Sequence, residues 1–376
     1  MEGFYLLMAN NKALHRAAKA QQDEFYTQTF DIENELRNYR EHFEGKKILC
    51  NCDDPYESNF FKYFALRFNA YKLAKLTATC YSGSPIAHTQ LTINFDDLAP
   101  ALPLAGEGVK AKSAISSGSI QKIPYCAEIT EFKDYNGDTA EDLQDIRYIL
   151  EHNVGGGVRK LQGDGDFRSP ECVELLKESD IVVTNPPHSL LREFIALLMQ
   201  YDKKFIILGN INAITYKEIF PLIMHNKMWL GHTIHSGDRK FNVPDSYPLE
   251  AAGCGVDDDG RKFIRVKGVR WFTNLDHGWR HRDMILFKSY QREPELYPKY
   301  DNYDAIEVSK VDFIPEDYFG VMGVPITFID KYNPEQFDIL GITEKGSPFS
   351  KGDGKTDRPY INGKRIYARM LIRRKQ

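Results

Sequence analysis

Asp180-Ile-Val-Val-Thr-Asn-Pro-Pro-His188 is the stretch whose reading decides the fold. Asp180 to Thr184 is a short β-branched run, the pattern of a strand buried on both faces in a parallel sheet. Asn185-Pro186-Pro187 ends it, because two prolines cannot donate to a ladder and the chain must leave the sheet. Ser189 then fits a helix N-cap, and Leu190, Leu191, Phe194, Ile195, Leu197 and Leu198 recur at helical spacing. A strand, a rigid turn and a helix predict an open α/β sheet, whose functional groups collect at the carboxyl ends of its strands.

The turn also offers chemistry. Proline has no N–H, so the carbonyls of this turn are acceptors held in fixed directions, and the Asn185 side-chain oxygen is a further one. Acceptors converging at a strand end suit a substrate that donates from an amino group. They also offset positive charge as that nitrogen is alkylated. An ordinary strand-to-helix turn stiffened by a proline pair fits the same residues.

Composition sets the outer bounds. A chain of 376 residues, 42% hydrophobic and 27% charged, has ample core for one large or two ordinary soluble domains. No run approaches the roughly 20 apolar residues of a membrane span, and residues 4–8 are too short for a signal peptide. Six cysteines, at 50, 52, 80, 126, 172 and 254, lack paired metal spacing and read as reduced thiols, which fits the cytoplasm. Net charge is −4, which gives no support to nucleic-acid binding. Its distribution does: from Lys351 to Gln376 nine basic residues face only Asp353 and Asp357. Such a tail suits phosphate contact or simple solvation.

Thr-Asn-Pro-Pro followed by a ring residue resembles the catalytic motif of amino-group methyltransferases that use S-adenosylmethionine. Asp23-Glu-Phe-Tyr-Thr-Gln28, Cys52-Asp-Asp-Pro-Tyr-Glu-Ser-Asn59, the Asn-Pro-Pro turn and Tyr360-Ile-Asn-Gly-Lys-Arg-Ile-Tyr-Ala-Arg369 extend the likeness. Together they resemble the EcoRI-type adenine-specific DNA methyltransferase family, from about Lys12 to the C-terminus. The resemblance implies a Rossmann-like methyltransferase sheet over residues 1–288 and a smaller α+β target-recognition module over residues 289–376.

Upstream of the turn, residues 11–22 and 30–43 read as helices, the second with Asp31 near its start and Gly45 just past its end. The resemblance places Phe25, Tyr26 and Thr27, between them, beside the cofactor's methionine end. Residues 46–52 form a strand ending at Asp53-Asp54-Pro55, before an aromatic helix over residues 60–68 capped by Ser58 or Asn59. A glycine-rich loop usually stands at this first βα turn. Here there is none, and two carboxylates would repel a pyrophosphate. Asp53 and Asp54 suit the ammonium end of S-adenosylmethionine better, and the absent glycines argue against NAD and ATP. Residues 73–81 hold a second strand without the usual ribose-binding acid; Thr79 and Tyr81 are the remaining candidates. Residues 101–119 are rich in small residues and read as loop, and residues 140–150 as helix. Gly155-Gly-Gly157 reads as a turn or loop, with no Lys-Ser/Thr after it to make a P-loop. Gly163-Asp-Gly-Asp-Phe167 has turn composition, and the resemblance assigns Asp166 to the cofactor's adenine amino group and Phe167 to its ring.

Downstream, residues 203–209 form a buried strand and residues 216–224 a helix. Residues 227–231 and 270–275 read as an antiparallel pair. Between them lies a Gly, Asp and Pro-rich segment whose His232 and His235 lack further ligands at metal spacing, so no metal is expected. Aromatics mixed with basic residues over 289–376 suit bases and phosphates, with Lys364, Arg365, Arg369, Arg373 and Arg374 as the expected DNA contacts. The implied reaction moves a methyl group from S-adenosylmethionine to N6 of an adenine flipped out of double-stranded DNA. Asn185, Pro186, Pro187 and His188 form its catalytic group. His188 departs from the family's Phe or Tyr. That departure leaves open an inactive DNA-binding or anti-restriction relative, and the acceptor geometry alone also fits RNA adenine or protein glutamine. A restriction endonuclease acting separately is the partner such a family admits, in a bacterial or phage-infected cytoplasm.

Overall fold

The computed structural model describes residues 27–52, 54–56, 58–81, 124–243, 249, 253–343 and 358–376. They fall into two compact units, one within Met1–Gly209 and Asp238–Val269, the other within Asn210–Gly237 and Arg270–Gln376.

The first unit is built on six strands: β1 Lys47–Asn51, β2 Lys75–Thr79, β3 Tyr125–Ile129, β4 Gly156–Lys160, β5 Ile181–Thr184 and β6 Lys204–Asn210. Across the sheet they stand in the order β4-β3-β2-β1-β5-β6. β2, β1, β5 and β6 are parallel, and β3 and β4 add an antiparallel edge. Central parallel strands are covered on both faces, which is why their sequences are continuous apolar runs. Ile48, Leu49 and Cys50 of β1, Ile181, Val182 and Val183 of β5, and Phe205 to Leu208 of β6 are all almost wholly buried.

The helices follow from local signals. Thr29–Leu36 runs through a 3-10 turn into Arg40–Phe43, and Gly45, at φ 72°, turns the chain toward β1. Ser58 Oγ accepts from the Phe61 amide at 2.9 Å and caps Asn59–Leu66. A capping box between Asp142 and Asp145 opens Leu143–His152. Leu191–Gln200 buries Leu191, Phe194, Ile195 and Leu198, the stripe its spacing predicts. Each such side chain contributes roughly 1.5–3 kcal/mol by leaving water.

Two local expectations are corrected, and one segment left unassigned from sequence gains a structure. Ser189 is not a cap: His188–Leu190 is a 3-10 turn, and Leu191–Gln200 starts after Leu190 with no side-chain cap. The Pro187 carbonyl accepts from the Leu190 amide at 2.9 Å, so the backbone closes the turn itself. The triple glycine is not simply loop: Gly156 and Gly157 begin β4, paired with Ile129 and Glu128. A Cβ at Gly156 would strike the Glu128 carbonyl, so the close pairing needs its absence. The Gly, Asp and Pro-rich segment holds a three-stranded antiparallel sheet, in the order Asp238–Asn242, Lys262–Lys267, Cys254–Val256. Ile264 and Val266 are buried in its middle strand while Arg265 and Lys267 are exposed.

In the second unit Trp229–Leu230 pairs antiparallel with Val269–Thr273, as the sequence predicts. Of residues 216–224 only Phe220–Met224 is α-helical. From residue 289 onward the described residues form a four-stranded sheet, in the order Ile306–Glu307, Met322–Val324, Met370–Arg374, Phe337–Ile342. A hairpin of Tyr360–Ile361 and Lys364–Arg365 stands beside it in sequence. The helical part of this stretch is 3-10 turn only, with no α-helix among the described residues. All six cysteines are free thiols. No helix among the described residues is long and apolar enough to cross a membrane.

Candidate active site

From β1 the chain steps to β2 on one side, and from β5 to β6 on the other. The order therefore reverses between β1 and β5, and ligands of open α/β sheets bind outside the carboxyl ends of the strands at such a switch point. Here the two strands are tied at both ends. The Lys47 amide donates to Asp180 Oδ2 at 2.8 Å and the Asp180 amide to the Lys47 carbonyl at 2.9 Å. At the carboxyl end the Thr184 hydroxyl donates to the Asn51 carbonyl in a short bond.

Asn185, 7% exposed, leaves β5 at this rim, followed by buried Pro186 and Pro187 and half-buried His188. The Pro187 carbonyl already accepts from the Leu190 amide, so at most one of its two lone pairs is left for a substrate. Pro187 also fixes the direction in which the chain departs.

At the end of β1, Cys52 takes φ 63°, a left-handed conformation more usual for glycine. Asp53 lies outside the described residues, as do Phe25 and Tyr26. Asp54 is 3% exposed, and its Oδ1 accepts from the Tyr125 hydroxyl at 2.6 Å and from the Tyr56 amide at 3.0 Å. Burial, with the Asp54 carboxylate beside it, pushes the Tyr125 phenol far above its ordinary value and keeps it a neutral donor. Burial also moves Tyr56 up to about 12. Asn59 Nδ2 donates to the Thr27 carbonyl at 2.7 Å, which brings buried Thr27 to the same turn.

Asn51 and Thr79 end β1 and β2 in register with each other. Asn51 Oδ1, Thr79 Oγ1 and Thr27 Oγ1 are buried without a hydrogen-bond partner among the described residues. A buried polar group left so costs about 1–3 kcal/mol, so each of these oxygens calls for a donor outside the described residues. The sequence reading held Thr79 only as a candidate and missed Asn51 and Tyr125. Their signal was position alone, at strand ends beside an aspartate.

Gly165 sets the next loop on the same rim. It has φ 81°, and a Cβ there would collide with the Cys80 carbonyl just past β2. The following residues are thereby held at that strand's end. Phe167 is buried against the edge of Phe194, centroids 5.0 Å apart at 71°. Asp166 accepts from Arg168 Nε at 2.9 Å and Nη2 at 2.7 Å, and these bonds hold its carboxyl below the ordinary value.

The model of the family described as adenine-specific methyltransferase EcoRI matches residues 13–375. The chain belongs to the EcoRI adenine-specific methyltransferase family. It is 45% identical over 370 residues to the Type II methyltransferase M.EcoRI of Escherichia coli, covering 98% of both chains. It is 34% identical to the Type II methyltransferases M.MpnI of Mycoplasma pneumoniae and M.MgeORF184P of Mycoplasma genitalium, over 96% of this chain and 98% of each relative. No solved structure matches it. The likeness read from four short motifs thus spans almost the whole chain.

In this EcoRI-family chain the five basic residues expected to meet DNA have different surroundings. Lys364 and Arg365 are exposed on the Tyr360–Arg365 hairpin. Asn362 at φ 50° and Gly363 at φ 73° make its two-residue turn, and Asp301 accepts from both their amides, at 3.2 and 2.8 Å. An Asn-Gly pair between short strands is a strong hairpin signal that the sequence reading left unused. Arg369 is different: its guanidinium bonds Glu307 at 2.6 and 3.0 Å, with both side chains largely buried. Tyr300 donates to the same carboxylate in a short bond. Arg369 is therefore held in a largely buried ion pair, unlike the exposed Lys364 and Arg365. Arg373 lies 3.7 Å from Asp338, half exposed, and Arg374 bonds the Glu316 carbonyl and covers Phe319. His235 stacks on Trp279, 4.3 Å between centroids, and its Nε2 lies 2.9 Å from the His232 carbonyl. No cluster of three metal-ligating side chains occurs among the described residues.

Proposed function

We propose that this chain is an adenine-specific DNA methyltransferase that methylates N6 of an adenine flipped out of duplex DNA at one sequence, with S-adenosylmethionine as cofactor. The observation that carries the reading is the Asn185-Pro186-Pro187 turn at the β1/β5 switch point, beside a rim of buried oxygens without partners.

Those oxygens fit the group. Its ammonium, ribose hydroxyls and adenine amine are donors, and the rim presents acceptors. Asp54, braced by Tyr125, faces the ammonium, with Asp53, Phe25, Tyr26 and Thr27 as its neighbours. Thr79 stands where the missing ribose acid would be, with Asn51 beside it. Phe167 flanks the adenine, and Asp166 accepts from its amine once Arg168 gives up its bonds. When bound, S-adenosylmethionine supplies a methyl group activated on a sulfonium.

The protein's own work is on the amine. A base inside a duplex cannot reach the end of a buried strand, so the adenine leaves the stack. Asn185 and the Pro186 carbonyl accept from N6, fix its direction and offset the charge it gains on alkylation. His188 lays its flat imidazole against the base. Over residues 289–376, Lys364, Arg365, Arg373 and Arg374 meet phosphates and hold the duplex. A cognate restriction endonuclease, acting separately on the same sequence in the cytoplasm, completes the setting.

Sequencing DNA from cells expressing the chain, with modified-base detection, should find N6-methyladenine at one sequence. Asn185→Ala should lower turnover by about 100-fold or more while still binding S-adenosylmethionine in a calorimetric titration. His188→Phe should keep or raise turnover. Wild-type turnover in the Asn185 variant would remove the assignment.

A further inference from the structure

Asp166, Phe167 and Arg168 are neighbours in sequence that also hold one another by their side chains. The Arg168 amide donates to Asp166 Oδ1 at 2.8 Å, its Nε to the same oxygen at 2.9 Å, and its Nη2 to Oδ2 at 2.7 Å. The same guanidinium lies over the Phe167 ring, 5.2 Å from its centroid. A guanidinium is a flat cation with N–H donors along its edge, so it can satisfy a carboxylate and an aromatic face at once.

The carboxylate and the ring are held from below. The Asp166 carbonyl accepts from the Ser169 amide at 2.9 Å, and Ser169 caps the helix Pro170–Glu178. Phe167, 4% exposed, packs on the edge of Phe194. The Arg168 side chain is 50% exposed, and its partners among the described residues are Asp166 and Phe167 themselves. It can therefore leave while they stay. Asp166 Oδ1 would then keep the Arg168 amide, and Oδ2 would need a new donor.

Adenine offers the two features that the guanidinium supplies here, a flat face and an N–H donor on its edge. We propose that Arg168 is a built-in competitor of the cofactor's adenine: it holds the carboxylate oxygen and the ring face that the adenine needs, and S-adenosylmethionine enters by displacing it. The proposal rests on the assignment of Asp166 and Phe167 to the adenine made above. An ion pair this exposed is weak. That weakness suits a competitor, which sets the affinity of the site without closing it.

The test is a set of calorimetric titrations of the full chain with S-adenosylmethionine. Arg168→Ala should tighten binding about fivefold; loss of a merely structural bridge gives no such gain. Asp166→Ala added to that variant removes the adenine's acceptor alone and should weaken binding about tenfold. In the native background the same change removes the acceptor and the competitor's anchor together, so the loss should be about twofold. One arm needs no substitution. Adenosine carries no charge, whereas the Arg168–Asp166 pair is screened by salt. Its affinity for the native chain, read by competition with S-adenosylmethionine, should rise about twofold between about 0.05 and 0.5 M salt and stay level in Arg168→Ala. Unchanged or weaker binding of S-adenosylmethionine by Arg168→Ala, or adenosine affinity that does not rise with salt in the native chain, overturns the competition and leaves the adenine assignment standing. No loss when Asp166→Ala is added to Arg168→Ala would instead take the adenine away from Asp166, and the competition with it.

Discussion

Tyr125→Phe removes one oxygen from the core and leaves the ring. That oxygen donates to Asp54 Oδ1 at 2.6 Å, with Tyr125 1% and Asp54 3% exposed. A buried hydrogen bond to a charged acceptor contributes about 1.5–3 kcal/mol. Asp54 Oδ1 would keep the Tyr56 amide at 3.0 Å, and the ring would keep its place 6.2 Å from Tyr56. A loss of about 2 kcal/mol in urea unfolding is therefore expected. The carboxylate would also lose its fixed direction. If about 1.4 kcal/mol of that appears in cofactor binding, the Kd for S-adenosylmethionine rises about tenfold. Titration calorimetry without DNA measures it, and a cycle with Asp54→Asn should give a coupling of about 1–2 kcal/mol. Unchanged stability and unchanged Kd would refute the positioning role of Tyr125. Lost stability with an unchanged Kd would remove Asp54 from the cofactor site and leave it a structural acid.

Arg369→Ala should destabilise the fold by about 3–5 kcal/mol, because Glu307, 5% exposed, would lose its cationic partner and keep only the Tyr300 hydroxyl. Urea unfolding reads this, and a weakening of DNA binding with stability intact would refute the structural assignment. Lys364→Ala with Arg365→Ala should change stability by less than about 0.5 kcal/mol yet lower the slope of log K against log salt by about 2. An unchanged slope would take the hairpin off the DNA. His277 is buried and held neutral, its value brought down from 6.5 to about 4. The unfolded chain binds that proton first, so stability is complete above about pH 6.5 and falls by about 3 kcal/mol as pH drops toward 4. Denaturation midpoints across that window should show the slope in the native chain and a smaller one in His277→Gln; equal slopes would exclude the residue.

Much of the first unit was legible because its signals are local. β1, β5 and β6 are apolar runs of strand length, and Leu191–Gln200 carries its buried stripe in its own spacing. The site's address followed from the same source, since two prolines after a strand force the chain out at the rim. What was not legible depends on partners distant in sequence. Nothing near Arg369 discloses Glu307, 62 positions earlier. Ser189 looked like a cap until the Pro187 carbonyl was seen to close the turn. The sheet of residues 238–267 was hidden by the glycines and aspartates around it, although Lys262-Phe-Ile-Arg-Val-Lys267 alternates as a half-buried strand does. Tyr125 lies 71 positions from the aspartate it braces, across a stretch with little pattern.

The bond from the Thr184 hydroxyl to the Asn51 carbonyl joins the strand that delivers the proposed acceptor turn to the strand that delivers the proposed cofactor turn. A shift of either turn that breaks this bond costs about 0.5–1.5 kcal/mol. Occupancy of one should therefore be felt energetically by the other, and to the same degree in both directions. Anyone re-engineering this enzyme for a different amine will be adjusting its appetite for the methyl donor as well.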